Sequence, residues 1–165
     1  MKKAISTEQT EANIQEVLRL LAMTPGRLEG LSNGLPEPQL HEPLRPGERS
    51  FLEALAHLLN SEARASEAIF LALLADEPLF PNIHPQRQWG RLVRYELMPF
   101  QELMAYFRFR RAVLLRALQP LSPAKWARCI REEGKARKES VYWRARSLAL
   151  HELEHLEDLH GKLHP

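Results

Sequence analysis

His151 and His155 are four residues apart near the end of the printed chain, in the stretch LALHELEHLEDLH, residues 148–160. On a helix they lie about 40 degrees apart and one turn from each other, on one face. Two imidazoles so placed can share one metal ion, which is why H-x3-H recurs in zinc sites. His151, Glu152, Leu153, Glu154 and His155 also spell H-E-x-x-H, the zinc-protease motif. Two ligands alone hold a metal weakly, so the chemistry depends on where a third stands.

The protease reading lacks its context. One protease class takes a glutamate well downstream, and here only ten residues follow His155. The other class extends as H-E-x-x-H-x-x-G-x-x-H, but Asp158 stands at the glycine position and Gly161 at the last histidine position. Such enzymes also present substrate to a sheet edge, and strand-like alternation is nearly absent from this chain.

The third ligand is therefore expected upstream, at His57 in FLEALAHLLNSEARASEA. Phe51, Leu55, Leu58, Leu59, Ile69 and Leu73 form a broad apolar stripe, and Ala54, Ser61, Ala65, Ala68 and Ala72 lie between it and His57. Small residues beside an inward-leaning histidine leave room in a bundle core, where metal sites are built from facing helices. On the last helix Leu148, Ala149, Leu156 and Leu159 define the buried arc, with His155 at its edge and His151 just beyond. Glu152 falls inside that arc. A carboxylate in a core is costly unless it is paired or has a role. Glu152 is the candidate catalytic residue, orienting a ligand histidine or moving a proton. The plainer alternative is three hydrogen-bonded histidines with no metal. His160 and His164 read as surface residues, and His41 and His84 sit in loops beside prolines.

Four helical stretches must position these groups. The first covers about Glu8 to Ala22, and Thr24-Pro25 reads as the start of a separate short piece through Leu31. The second starts at the capping box Ser50 and Glu53 and runs to about Ala75. A proline-rich connection follows, with one turn near Gln86 to Val93. The third helix runs from near Pro99 to Leu118, followed by a turn holding Trp126. Residues 128–138 read as a short hairpin around Gly134, and the last helix runs from about Glu139 to His160, stopping at Gly161. The expectation is a single all-α domain over 1–165, a four-helix bundle with long connections.

Composition narrows the function classes. The net charge is +2 with acids and bases interspersed, which gives no case for nucleic acid or a membrane surface. No apolar run reaches the length of about 18 residues that a membrane span needs. The N-terminal stretch lacks a signal-peptide pattern, and Cys129 is the one cysteine, so a cytoplasmic protein without an internal disulfide is expected. Arg108, Arg110, Arg111 and Arg116 spread around the third helix and read as a solvated face. A second reading has Arg111 reach into the site to hold an anionic substrate.

This ordered set resembles the DinB-like (DinB/YfiT) superfamily. LLAMTPGRLEGL looks like its first helix, LAHLLNSEARASEAIFLALLADEP its second, FRFRRAVLLRALQPLSPAKWAR the end of its third helix and the turn after it, and LALHELEHLEDL its metal helix. The chain departs from many relatives at Arg49-Ser50, where they carry a tryptophan-serine pair. The resemblance implies a four-helix bundle of DinB/YfiT type with a divalent metal on His57, His151 and His155. It also implies a metal-dependent S-transferase for small thiols, an isomerase or a hydrolase. Zinc, nickel and iron all suit imidazole ligands. The expected partner is a small-molecule thiol or electrophilic substrate. A non-enzymatic metal-binding stress-response bundle is the other class of reading. A homodimer is expected from the family and from Trp143 and Leu150, which fall together away from the core arc of the last helix.

Overall fold

The computed structural model describes residues 5–83 and 85–164, without the side chains of 86 and 87, so His84 lies outside the described residues. Four long helices form the frame: α1 (Glu11–Ser32), α3 (Phe51–Leu74), α5 (Phe100–Leu118) and α7 (Val141–Leu163). Shorter pieces connect them: α2 (Glu37–His41), α4 (Pro85–Leu92), a 3-10 turn at Tyr95–Leu97, and α6 (Pro123–Trp126). Around the bundle, α1 and α3 each pack between α5 and α7.

The local chemistry of each start is visible. Thr10 Oγ1 accepts from Asn13 N to cap α1, and Ser140 Oγ accepts from Trp143 N to cap α7. At α3 both halves of the predicted capping box form, with Ser50 Oγ accepting from Glu53 N at 3.1 Å and Glu53 Oε2 accepting from Ser50 N at 2.7 Å. This pair fixes the register of α3 and so the position of His57 in its second turn.

Three boundaries differ from expectation. α1 does not break at Thr24-Pro25 but runs through Pro25. Proline cannot donate to the carbonyl of Leu21, which is the bond that normally argues for a break. Arg111 Nη1 from α5 donates to that carbonyl instead, at 2.6 Å, so no buried acceptor is stranded. α7 begins after Ser140, not at Glu139, because Glu139 pairs with Ile130 in the hairpin. It also continues past Gly161 to Leu163, where Lys162 bonds Asp158 at 2.7 Å and Glu48 at 2.9 Å.

The hairpin is present, as β2 (Cys129–Glu132) and β3 (Lys138–Ser140), antiparallel, with Ile130 opposite Glu139. A third strand was not anticipated. β1 (Leu79–Phe80) runs parallel to β2, with Phe80 opposite Glu132.

The core has two apolar clusters. One gathers Val17, Leu21, Ile69, Leu114, Trp126, Tyr142 and Ala145. The other gathers Leu28, Phe51, Leu55, Leu58, Met104, Phe107, Leu156 and Leu159. Between them each long helix contributes a buried polar residue to one connected group: Thr24 from α1, Glu62 from α3, Arg111 from α5 and Glu152 from α7. Arg111 is thus neither a solvated side chain nor free for a substrate, and both expectations are corrected. The Trp143–Leu150 patch is not exposed either. Leu150 packs on the first cluster, and Trp143 is half-buried with the Arg137 guanidinium 4.3 Å from its ring centroid. Exposed apolar side chains lie instead on the outer face of α5, at Tyr106, Phe109 and Val113, and in the 79–97 connection.

Candidate metal centre

His57 on α3 and His151 and His155 on α7 meet where the two helices face each other, all three half-buried. Their ligand atoms lie within 4.8 Å of one another, and the Nε2 atoms of His57 and His151 are 3.1 Å apart. Ring centroids are separated by 4.5 Å for His151–His155, 4.7 Å for His57–His155 and 5.1 Å for His57–His151. Two imidazole nitrogens bound about 2.0–2.1 Å from one ion stand about 2.8–3.4 Å apart across octahedral to tetrahedral angles. The observed His57–His151 separation fits that range. The three residues named from the sequence as ligands are therefore brought together, and the donor set suits a divalent metal.

Burial holds His151 and His155 below the ordinary imidazole value. For His155 the charges of His151 and Arg49 add to it against Asp158 and Glu154; for His151 Arg49 adds to it against Glu152 and Glu154. Both rings are neutral at neutral pH, the form that ligates a metal.

Ser61 belongs to the site, although its sequence position marked it only as a small residue. Its Oγ donates to the backbone carbonyl of His57 at 2.9 Å and lies 3.2 Å from His151 Nε2. The signal was its spacing, one turn beyond His57 on the same face. Among the described residues, no fourth histidine, cysteine, aspartate or glutamate joins the histidine group.

Glu152 sits in the buried polar layer. Its Oε2 accepts from Thr24 Oγ1 at 2.9 Å and from Arg111 Nη1 at 3.0 Å, and its Oε1 accepts from Arg111 Nη2. Arg111 also donates to Glu62 Oε2 at 3.0 Å, and Arg110 Nε lies 3.5 Å from Glu62 Oε1. Burial pushes the Glu62 carboxyl up, and the Glu152 charge adds to this against Arg111 and Arg110. Burial opposes the charge on Arg111, but Glu152 and Glu62 outweigh it and raise its pKa.

Each histidine also borders its own cleft. The cleft at His151, about 330 Å³, is lined by Ser61, Arg64, Lys135, Trp143, Arg144 and Ser147 among others. The cleft at His57, about 240 Å³, has Arg49, Glu53, Arg91 and Glu96 on its walls. The cleft at His155, about 290 Å³, has Glu48, Arg49, Asp158 and Lys162. The other described histidines stay apart from the centre. His160 and His164 pair with each other on the exposed end of α7, ring centroids 5.0 Å apart, and the exposed His41 lies 3.3 Å from Glu37.

A family model described as the DinB superfamily matches residues 20–159. No curated protein gives a significant match. Among solved structures, the fold is similar to that of YfiT from Bacillus subtilis, described as a probable metal-dependent hydrolase with an unusual four-helix bundle topology. That match has a TM-score of 0.81 and 14% identity, covering 97% of this chain and 93% of that one. It is also similar to TT2238, described as a four-helix bundle protein, with a TM-score of 0.61 and 22% identity over 90% of this chain and 98% of that one. At these identities the two structures speak to the fold alone.

Proposed function

Since the chain belongs to the DinB superfamily, we propose that it is a divalent-metal-dependent enzyme, a thiol S-transferase or a hydrolase, working at His57, His151 and His155. The observation that carries this reading is three imidazoles on one point with no fourth such ligand among the described residues. A structural site is closed by four protein ligands, whereas a catalytic site keeps a position open. The same observation weighs against a metal-storing or stress-response bundle without activity. The description of YfiT as a probable metal-dependent hydrolase supports the hydrolytic branch.

A bound divalent cation stabilises an anion beside it, so that a thiol or water loses its proton more readily. The chain's own residues supply the rest. The three histidines, two on α7 and one on α3, would hold the ion. Ser61 Oγ, 3.2 Å from His151 Nε2, is placed to hydrogen-bond an entering thiol or water. Glu152 enters as a positioning residue, because both its oxygens already accept hydrogen bonds from Arg111 and Thr24. It ties the middle of α7 to α5 and α1, and so holds His151 and His155 toward His57.

A cytoplasmic location is part of the proposal. No helix of the described residues is long and apolar enough to cross a membrane, and Cys129 is a free thiol. Pairing of two copies is proposed through the apolar side chains left exposed on α5, Tyr106, Phe109 and Val113. Light scattering near the chain mass of 19.1 kDa would contradict it.

The enzymatic reading is tested with protein loaded in turn with zinc, nickel and iron(II). It is offered a panel of small thiols with an electrophilic acceptor, and separately activated esters. Turnover that needs the metal and disappears in His57→Ala is expected. Metal-loaded protein that turns over neither substrate class, or equal turnover in His57→Ala, would contradict it.

A further inference from the structure

The three clefts at the histidines differ in charge. At His57, Arg49 and Arg91 are matched by Glu53 and Glu96. At His155, Arg49 and Lys162 are matched by Asp158 and Glu48. At His151 the charged residues of the wall are Arg64, Lys135 and Arg144, and among the described residues no carboxylate lines the cleft.

The acids that serve these cations lie behind them, on the small sheet. Glu132 on β2 accepts from Arg64, from Arg144 and from Lys135, the last at 3.0 Å. Glu139 on β3 meets Arg144 at 2.5 Å, Arg137 at 3.0 Å and Lys135 at 3.6 Å. Four cationic side chains, Arg64, Lys135, Arg137 and Arg144, thus share these two carboxylates. Arg144 is only 6% exposed, and its Nε has no hydrogen-bond acceptor among the described residues. A buried N–H without an acceptor is costly, and a ligand oxygen entering the cleft would complete it.

We propose that the cleft at His151 is the substrate cleft, and that Arg64, Lys135 and Arg144 bind the anionic end, a carboxylate or similar group, of a small substrate. This rests on the proposed metal chemistry only in placing the reacting atoms near His151. Trp143 adds a flat apolar wall, and Ser61 and Ser147 add hydroxyls on the way to the histidine. A volume of about 330 Å³ suits a small molecule rather than a polymer.

Two titrations test the subsite, at low ionic strength because partly exposed charges are screened by salt. In the first, metal-free protein is titrated calorimetrically with succinate and with uncharged succinamide. Succinate is expected to bind and succinamide is not. Arg64→Gln and Lys135→Gln, both at partly exposed positions, should each weaken succinate about five- to tenfold while circular dichroism stays unchanged. Arg91→Gln, in the cleft at His57, should leave it within about twofold. Equal binding of the two ligands, no binding of either, or no loss in the Arg64 and Lys135 variants would overturn the subsite.

In the second, cobalt(II)-loaded protein is titrated with mercaptosuccinate and with uncharged thioglycerol, read by the thiolate charge-transfer band. A preference for mercaptosuccinate that disappears in Arg64→Gln is expected. Equal affinity for the two thiols would overturn the subsite and leave the thiol reading standing. Succinate binding without any thiolate band would leave the subsite standing and overturn the thiol reading.

Discussion

Arg111 grips Glu152 with both terminal nitrogens in the middle of the bundle, one residue from His151. The same guanidinium reaches Glu62 on α3 and the Leu21 carbonyl that Pro25 leaves without its helical donor. One side chain from α5 therefore ties together α1, α3 and α7, and two of those helices carry the histidines. Removing it would leave Glu152 with Thr24, Glu62 with Arg110 at 3.5 Å, and the Leu21 carbonyl without its donor.

Arg111→Met should destabilise the fold by about 3–5 kcal/mol in chemical denaturation, because breaking a buried pair leaves uncompensated charge. Adding Glu62→Leu and Glu152→Leu to that variant should recover most of the loss, since apolar replacement of a whole buried network is often neutral. A loss under about 1 kcal/mol for Arg111→Met alone would show that the layer contributes little.

His151→Ala should lose most bound metal, while His160→Ala should keep it. His151 shares the site with His57 and His155, whereas His160 sits on the exposed end of α7 beside His164. Elemental analysis of both purified variants checks this, and equal content in the two would refute the assignment.

Glu132→Gln should make stability less dependent on acid pH. Burial alone would raise the Glu132 carboxyl, but hydrogen bonds from Arg144 and Lys135 and the charges of Arg144 and Arg64 hold it down at about 2, from an ordinary 4.5. A carboxylate with a lowered native pKa contributes stability that is complete above the unfolded value and fades as pH falls toward the native one. The gap between parent and variant should therefore be constant from about pH 6 to 8 and narrow between about pH 4.5 and 2. A gap that widens on acidification would contradict the pairing.

Gly90→Ala should loosen the connection that carries α4. A Cβ at Gly90 would collide with Asn60 Oδ1 and with the Tyr95 ring, so those side chains must give way or α4 must move away from α3. Overpacking of this kind costs about 1–3 kcal/mol. Thermal melts, with proteolysis mapped to residues 79–98, would report it, and an unchanged melting temperature would contradict the close approach.

Much of this arrangement was legible because it is local. The Ser50–Glu53 box, the His151–His155 spacing and the hairpin around Gly134 each depend on residues a few positions apart, and each forms as read. The features that escaped need a partner from elsewhere in the chain. α1 passes Pro25 because Arg111, 90 residues beyond Leu21, supplies the missing donor to the Leu21 carbonyl. β1 is two residues long, too short for alternation to show, and exists because β2 pairs with it: Arg131 N donates to Pro78 O and Glu133 N to Phe80 O. Arg111 was open to a better reading. It stands in the buried stripe of Leu103, Met104, Phe107, Leu114 and Leu118, and Glu62 and Glu152 likewise interrupt apolar stripes on their own helices. Three charged residues at core positions of three helices call for one another.

The central claim is that His57, from a helix about a hundred residues upstream, completes a site with His151 and His155. X-ray absorption on protein loaded with one equivalent of zinc tests it most directly. The account predicts three imidazole nitrogens at about 2.0–2.1 Å from the ion, falling to two in His57→Ala. An imidazole shell unchanged by that substitution, or zinc bound without imidazole scattering, would contradict it.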